Sequence, residues 1–458
     1  MDRPTNPMLV MGLLVLRGRL GHASLRRIVR ERFLAFERFR CVPVTDTLGA
    51  HWEPAAQFDL NDHVLRVALP TPAGERELEA LAGDLASTPL NVGRPLWTFH
   101  LVEQYQGGSA LIIRIHHCYA DGIALMHVLV RLADAMPGPT AASGPSASHA
   151  APAAPTGGLA TALLPEFLTQ ALRESADLVG KGLHYALHPT EASTAAGTVA
   201  GTAVGIAGEV ARLGLLLTDD PPTRLKRALS GVKRVAWAAP LALEEVRTVS
   251  RLLGCTINDV LVATLAGALG RYLDSQGDST AGVTIRAAVP VNLRPQHDAA
   301  LELGNRFGLV FVDLPVGIRH PLQRLYAVHS AMEALKGSQQ ALVTFGVLSL
   351  VGTLPAAVEE PAVALFSAKA SLVASTLRGP EQPLHLAGVP VTQLLFWVPQ
   401  SGSIGTGVSI LSYRGEVQFG VIADRHLIPD PGKLVGLVQA EFDRLVYLLL
   451  LGAGSLTD

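Results

Sequence analysis

The stretch from residue 108 to residue 133 constrains the fold most, because its hydrophobic period changes within it. Residues 108–115 read GSALIIRI, an apolar run typical of a buried strand. After Asp121 the apolar residues recur at helical spacing. The predicted apolar stripe of this helix is Ile123, Met126, Val130 and Ala133. A strand therefore leads into a helix, and the polar letters HHCYADG lie at the junction.

Strand and helix patterns mix in both halves of the chain. The N-terminal apolar run predicts a first strand, and residues 23–40 predict an amphipathic helix. Residues 77–91 predict another helix, and residues 240–273 predict two helices joined at Gly254. Strands are predicted at 282–294 and 307–315, with hairpin turns at 106–109 and 413–415. These patterns together predict a mixed α/β fold.

A low-complexity segment divides the chain. Residues 136–158 are almost entirely Ala, Pro, Ser, Gly and Thr, a composition that cannot bury enough apolar surface to order itself. Residues 160–218 are rich in Ala, Leu and Gly and predict helices. We therefore expect an N-terminal domain over 1–135, a linker and helical connector over 136–230, and a C-terminal domain over 231–458.

Charge and cysteine content exclude several classes of protein. The 37 basic and 39 acidic residues nearly balance, so nucleic acid is not an expected partner. Three widely spaced cysteines argue against a disulfide framework and indicate a reducing cytoplasm. The N-terminus does not read as a secretory signal. Two uncharged stretches, 192–208 and 337–358, contain too many small or helix-breaking residues for convincing membrane spans. Each is interpreted either as a buried helix or as a surface that touches lipid.

The two adjacent histidines are the main candidates for a catalytic or metal-binding role at this junction. Consecutive strand residues point to opposite faces, so His116 and His117 cannot share a ligand without a bend, and we expect no metal. A neutral imidazole can take a proton from an alcohol near pH 7, and His117, nearest the turn, is the better base. Asp121 either orients that ring or holds the loop, and Gly122 permits close approach. Cys118 is a rival nucleophile, although it points away from His117 if the strand continues.

The letters HHCYADG resemble the HHxxxDG motif of CoA-dependent acyltransferases. Further stretches, in order, resemble the bacterial wax ester synthase/acyl-CoA:diacylglycerol acyltransferase family: RPLW at 94–97, TINDVL at 256–261, PVNLR at 290–294, LGNRFG at 303–308 and GVIADRHLIPD at 420–430. HHxxxDG alone is shared with peptide-forming condensation domains. The ordered set, which covers nearly the whole chain, is what indicates the lipid-making branch.

The resemblance implies two chloramphenicol-acetyltransferase-like domains, each a mixed sheet flanked by helices, with an active-site tunnel at their interface. It implies that His117 is the general base, that His116 is structural, and that Asp121 and Gly122 complete the motif. Asn258, in the family's ND motif, would stabilise the developing oxyanion. The family's extra N-terminal residues have no counterpart before the segment MDRPTNPM.

The implied reaction moves a fatty acyl group from acyl-CoA to diacylglycerol or a long-chain alcohol, with acyl-CoA as co-substrate and no cofactor. The expected location is cytoplasmic, peripheral to the inner membrane or to lipid inclusions. Two alternatives stay open: an enzyme that uses carrier-bound acyl groups, and a non-catalytic lipid-binding protein on the same scaffold.

Two features bear on the substrates. A basic cluster over 224–234 supplies Lys226, Lys233 and Arg234 as candidates for CoA phosphates, although a solvated surface explains it equally well. The family often carries Asn-x-Pro-Gly-Pro where this chain has STLRGP at 375–380. That departure puts the local loop and the acceptor preference in doubt.

Overall fold

The structure, a computed structural model, describes residues 3–46, 49–134, 218–293, 303–336, 344 and 363–454. The predicted linker and the helices predicted over 160–217 lie outside these ranges, as do the stretch 192–208 and all of 337–358 except residue 344. The described part of the chain forms two mixed sheets and a separate two-stranded ribbon.

The described strands are β1 (Leu9–Leu16), β2 (Cys41–Asp46), β3 (Gly49–Pro54), β4 (Val64–Val67), β5 (Trp97–Tyr105), β6 (Gly108–His116), β7 (Lys233–Trp237), β8 (Leu241–Ala242), β9 (Ile285–Asn292), β10 (Phe307–Leu314), β11 (Leu372–Arg378), β12 (His385–Leu386), β13 (Val389–Trp397), β14 (Thr406–Tyr413) and β15 (Glu416–Asp424). The described α-helices are α1 (His22–Ile28), α2 (Glu75–Ser87), α3 (Gly122–Leu132), α4 (Leu243–Leu252), α5 (Ile257–Ser275), α6 (Pro321–Lys336) and α7 (Pro431–Gly454).

The first sheet has the order β12-β13-β1-β6-β5-β4. Strand β6 is central, pairs antiparallel with β1 and β5, and is buried along its length until His116. A turn at Gln106 and Gly107, both with positive φ, joins β5 to β6, so the predicted hairpin is confirmed. Burial on both faces explains why β6 reads as a continuous apolar run rather than an alternating one.

The second sheet has the order β10-β9-β11-β14-β15-β7, with β8 pairing to β15. Strand β11 lies parallel to both β9 and β14, and the other pairs are antiparallel. The almost wholly buried helix α5 contributes to the core of this sheet. The predicted strands β9 and β10 and the hairpin between β14 and β15 are confirmed.

The two sheets exchange strands. Strands β12 and β13 come late in the chain, yet they belong to the first sheet, where β13 pairs with β1 from Met11↔Trp397 to Leu16↔Val391. The spatial unit built on the first sheet therefore includes residues from both halves of the sequence. The division at 136 and 230 stays a prediction about the order of segments along the chain.

Helices α1 and α3 differ in detail from their sequence patterns. The long helix predicted over 23–40 is broken: α1 ends at Ile28, a π-helical turn covers Val29–Phe33, and a 3-10 turn covers Glu37–Arg40. In α3 the fully buried residues are Ala124, Val128 and Leu132. The predicted stripe is wrong, because Val130 is exposed.

Helices α4 and α5 meet at Gly254, whose positive φ of 65° ends α4 and confirms the predicted join. A capping box then starts α5: Thr256 accepts a hydrogen bond from Asp259 N, and the Asp259 carboxylate accepts one from Thr256 N. Among the described helices none alone is long and apolar enough to cross a membrane. Helices α4 and α5 meet that criterion only as a pair bent by 101°.

Candidate active site

The loop that joins β6 to α3 is held on the first sheet by its backbone. His116 N donates to Leu96 O at 2.9 Å, and His117 N donates to Met8 O at 2.8 Å. The His116 Nδ1 atom accepts a hydrogen bond from Cys118 N at 3.2 Å, which places the proton of a neutral ring on Nε2. His116 therefore contributes a hydrogen bond to the turn, and its structural role stays a prediction.

His117 is half-buried, and its ring contacts the edge of Phe307, with ring centroids 5.6 Å apart at 71°. Burial lowers the pKa of His117 below its ordinary value of 6.5. The Asp121 carboxylate and the residue's own backbone carbonyl oppose this shift, whereas His116 adds to it. Because its pKa is lowered, the imidazole is neutral near pH 7, and one ring nitrogen can accept a proton.

Asp121 is the buried N-cap of α3. Its Oδ1 atom accepts from Ala124 N at 3.1 Å, and its Oδ2 atom accepts from Arg306 N at 3.1 Å. The backbone N–H of Asp121 also donates to Gly304 O at 3.2 Å. Both carboxylate oxygens thus hold backbone groups, which favours loop support over direct orientation of the His117 ring.

Strand β11 brings Gly122 and Asn258 to neighbouring positions. A Cβ atom on Gly122 would lie 3.2 Å from Leu377 Cδ1, so the absence of a side chain allows α3 to pack closely on β11. One residue earlier, Thr376 Oγ1 donates to Asn258 Oδ1 at 3.2 Å. The HHCYADG loop and the TINDVL motif therefore contact adjacent residues of β11, Leu377 and Thr376, within the STLRGP stretch that departs from the family pattern.

An apolar cavity of about 70 Å³ lies beneath the start of α3. Strand β1, helix α3 and strand β13 contribute to its wall, and Gly122 and Leu377 line it together with Met126, Phe33 and Phe99. Gly122, at the end of the histidine loop, and Leu377, which packs on it, both line the cavity. Its apolar lining suits a hydrocarbon chain.

One set of potential metal ligands occurs within the described ranges: Cys255, Asp259 and His329, whose ligand atoms all lie within 4.8 Å of one another. The Asp259 Oδ2 atom accepts a hydrogen bond from Thr256 N and lies 2.8 Å from His329 Nδ1. These contacts cap α5 and tie it to α6. The set does not include His116, His117 or Asp121, and we assign it no part in the reaction.

The three cationic candidates for CoA phosphates differ in accessibility. Lys226 Nζ donates to the backbone oxygens of Ser367, Ala368 and Ala370. Lys233 is buried, its Nζ atom bonds Asn6 Oδ1, and burial lowers its pKa to about 8. The structure therefore does not support Lys226 or Lys233 as phosphate ligands, because backbone contacts or burial withdraw both ammonium groups from solvent. Arg234, with 41% of its side chain exposed, keeps this assignment as a proposal.

Sequence reasoning assigned no chemistry to the LGNRFG stretch, yet it contacts the histidine loop directly. Asn305 Nδ2 donates to His117 O at 2.9 Å, and Phe307 touches the His117 ring. The two partners of the hydrogen bond are 188 positions apart. The stretch was visible as a motif, but nothing in a single sequence pairs it with residue 117.

Comparison with known proteins assigns the family. The model described as the wax ester synthase/diacylglycerol acyltransferase catalytic domain matches residues 1–261, and the model of the WS/DGAT C-terminal domain matches residues 303–446. The chain belongs to this family. The expected family is thereby confirmed, and with it the expectation of an acyltransferase.

Individual relatives agree with this assignment. A protein of Mycobacterium tuberculosis and one of Mycobacterium bovis, each named as a diacylglycerol O-acyltransferase, are 30% identical to the chain over 405 residues, 87% of this chain and 82% of each relative.

Two solved structures share the fold. The wax ester synthase/diacylglycerol acyltransferase of Marinobacter aquaeolei VT8 matches with a TM-score of 0.65 and 21% identity, over 97% of this chain and 95% of that chain. The first condensation domain of the calcium-dependent antibiotic synthetase matches with a TM-score of 0.57 and 17% identity, over 96% and 91%. The predicted fold class, two acetyltransferase-like domains of mixed sheets and helices, is confirmed.

Proposed function

We propose that this chain transfers a fatty acyl group from acyl-CoA to the hydroxyl group of a diacylglycerol or a long-chain alcohol. The products are triacylglycerol or wax ester and free CoA. The observation that carries the proposal is the setting of His117: a half-buried imidazole with a lowered pKa, on a loop that Asn305 contacts from the second sheet's side and that leads into a helix lining an apolar cavity. The names of the mycobacterial relatives support diacylglycerol as an acceptor.

The proposed reaction is a direct attack. Neutral His117 removes the proton from the acceptor hydroxyl, and the acceptor oxygen forms a bond to the thioester carbonyl carbon. The carbon–sulfur bond then breaks, and protonated His117 gives its proton to the CoA thiolate. No acyl-enzyme and no cofactor are required, so Cys118 has no role as a nucleophile.

Negative charge develops on the thioester oxygen during this attack. Asn258 lies at the start of α5, where its amide group can donate a hydrogen bond while its Oδ1 atom accepts one from Thr376. One such donor is worth about 10²- to 10³-fold in rate when it is aimed at the transition state. We assign this stabilisation to Asn258.

The cavity beneath α3 would receive the end of a substrate hydrocarbon chain. Its volume of about 70 Å³ is smaller than the roughly 300 Å³ at which ligand pockets usually begin, so it holds only part of a long chain in this conformation. Gly122, at the end of the histidine loop, and Leu377 line it, which gives them influence over the chain that enters.

A lipid surface is the proposed peripheral contact, because diacylglycerol resides in lipid. Near its C-terminal end α7 exposes Tyr447, Leu450 and Leu451, each by more than half of its surface. Co-sedimentation with phosphatidylcholine vesicles that contain dioleoylglycerol tests this contact. Leu450→Glu combined with Leu451→Glu should weaken sedimentation, and unchanged sedimentation would place the contact elsewhere.

The decisive test of the reaction uses purified protein, palmitoyl-CoA, and either dioleoylglycerol or hexadecanol, with released thiol followed by a colour reagent. Acceptor-dependent thiol release together with formation of the ester supports the proposal. A parallel reaction supplies palmitoyl-acyl carrier protein in place of palmitoyl-CoA. Turnover with the carrier alone would overturn the proposed donor, and lipid binding without thiol release from either donor would indicate a non-catalytic protein.

A further inference from the structure

Residues 303–307, here called the clamp segment, cross from the second sheet to the histidine loop and bond it at several points. Asn305 Nδ2 donates to His117 O, Asp121 N donates to Gly304 O, and Arg306 N donates to Asp121 Oδ2, at 2.9, 3.2 and 3.1 Å. At the end of the clamp segment, Phe307 begins β10 and faces the His117 ring.

An arginine from the first sheet's side joins the same segment. Arg38 Nη1 donates to Leu303 O at 2.5 Å and to Tyr119 O at 3.4 Å, so one guanidinium group bridges the clamp segment and the histidine loop. Its Cζ atom also lies 5.6 Å from the centre of the Trp52 ring. The clamp segment is therefore fixed at both ends, by Arg38 at Leu303 and by the strand pairing of β10 at Phe307.

The carbonyl oxygen of His117 connects the clamp segment to the proposed catalytic base. That oxygen accepts from Asn305 Nδ2, and the same carbonyl favours the protonated form of the His117 ring. The N–H of the residue donates to Met8 O. The two backbone groups of His117 are thus held by different parts of the chain, its N–H by Met8 and its carbonyl by Asn305.

We propose that Asn305 and Phe307 are positioning residues for His117, Asn305 through its hydrogen bond to the backbone carbonyl of His117 and Phe307 through its contact with the imidazole ring. This inference rests on the proposed function, since it concerns the base of that reaction. Loss of the Asn305 hydrogen bond frees the carbonyl to rotate. A displacement of about 1 Å at a reacting group lowers the rate by about 10²-fold.

Phe307 has a distinct effect, because it keeps water from one side of the imidazole. The titratable and charged groups around His117 are His116, Cys118 and Asp121 on the loop, with Arg38 and Arg306 on the elements packed against it. Removal of the phenyl ring leaves these groups in place and hydrates the imidazole. The pKa of His117 then rises towards its ordinary value, and the acid limb of the pH–rate profile moves to higher pH.

The kinetic test compares matched substitutions. Asn305→Asp keeps the shape of the side chain but removes both N–H donors, and Asn305→Gln keeps the donors on a longer stem. We expect Asn305→Asp and Asn305→Ala to lower kcat by about 10-fold or more with little change in KM for palmitoyl-CoA, and Asn305→Gln to recover part of kcat. Full kcat in Asn305→Asp, or a change confined to KM, would overturn the role of Asn305.

For Phe307, Phe307→Leu keeps an apolar cover and Phe307→Ala removes it. The acid limb of kcat/KM should move to higher pH in Phe307→Ala and stay near its original position in Phe307→Leu. An unmoved limb in Phe307→Ala contradicts the inference. Thermal melts of all variants, measured in parallel, separate loss of positioning from loss of folded protein.

A readout without turnover keeps this inference separate from the proposed function. Nuclear magnetic resonance of ¹⁵N-labelled imidazole nitrogens, assigned with His117→Ala, reports the tautomer and the pKa of His117 directly. Asn305→Ala should mix the tautomers, and Phe307→Ala should raise the pKa, whatever the substrates are. Unchanged spectra in both variants would refute the positioning roles even in an active enzyme.

Discussion

The two helices that begin at the candidate site, α3 and α5, are capped in different ways. Asp121 caps α3 through one carboxylate oxygen, and its second oxygen accepts a hydrogen bond from Arg306 N, a backbone group from the second sheet's side of the molecule. Asp259 completes the capping box of α5 and contacts His329 on the adjacent helix α6. The start of α3 thus depends on contact between the two halves, whereas the start of α5 is supported within its own half.

This difference separates the two chemical tasks. The proposed base, His117, lies on a loop that residues from the other half hold in place. The proposed oxyanion donor, Asn258, lies on a helix that is supported within its own half. In an enzyme built in this way the oxyanion donor is positioned in advance, whereas the base is aligned only when the two halves of the molecule are in contact. The following experiments test that contrast, from the largest expected effect to the smallest.

The largest effect is expected at the base. His117→Ala should reduce acyl transfer by about 10³-fold or more, because a positioned general acid–base is worth roughly 10² to 10⁴ in rate. The measurement is thiol release from palmitoyl-CoA with dioleoylglycerol. Cys118→Ala is the matched control and should retain activity; if it is the inactive variant instead, the cysteine is the nucleophile.

A smaller loss is expected at the oxyanion side. Asn258→Ala should lower kcat by about 10²- to 10³-fold with an unchanged melting temperature, because the capping box of α5 does not use its side chain. Thr376→Val removes only the partner of Asn258 Oδ1 and should cost much less. Equal losses in the two variants would show that Asn258 acts through packing rather than through its amide.

The two buried carboxylates give the most direct comparison of the helix starts. Asp121→Asn and Asp259→Asn should each lower the free energy of unfolding by about 1–3 kcal/mol, because each leaves buried N–H groups facing a poorer acceptor. Thermal melts measure this loss. Below the melting transition, only Asp121→Asn should also lose kcat, since only Asp121 bonds the clamp segment; equal kcat losses would remove the proposed contrast.

The smallest effect concerns the packing of α3 on β11. The Cβ atom of Gly122→Ala would lie 3.2 Å from Leu377 Cδ1, so the Leu377 side chain must shift by a few tenths of an ångström, at a cost of about 1 kcal/mol. Melting temperature and activity should both fall modestly. The double variant Gly122→Ala with Leu377→Ala should show a favourable coupling energy in a double-mutant cycle, and strict additivity would mean that the contact carries no energy.

Secondary-structure elements and motifs could be predicted from the sequence better than the buried face of a helix or the contact partners of a side chain. Strand β6, the start of α3 and the join at Gly254 follow from local period and turn chemistry, so they could be found without coordinates. The exposed position of Val130 could not, because nearly every residue of α3 is apolar and only the packed neighbours decide which face is buried.

The basic cluster shows the same limit. Lys226 and Lys233 lie in a run that reads as a solvated cationic surface, yet one ammonium binds three backbone carbonyls and the other is buried against Asn6. Both outcomes depend on chain segments far away in sequence. The contact between Asn305 and His117, which spans 188 positions, is missed for the same physical reason.

The place of β13 in the first sheet has a consequence for how the protein is made. While the chain emerges from the ribosome, β1 can pair with β6 early, but its other edge stays open until residues 389–397 have been translated. An uncovered edge strand is a template for pairing with other chains. The unpaired edge of β1 must therefore be protected from other chains through most of the synthesis of the protein. A chain cut before β13 would expose that edge permanently.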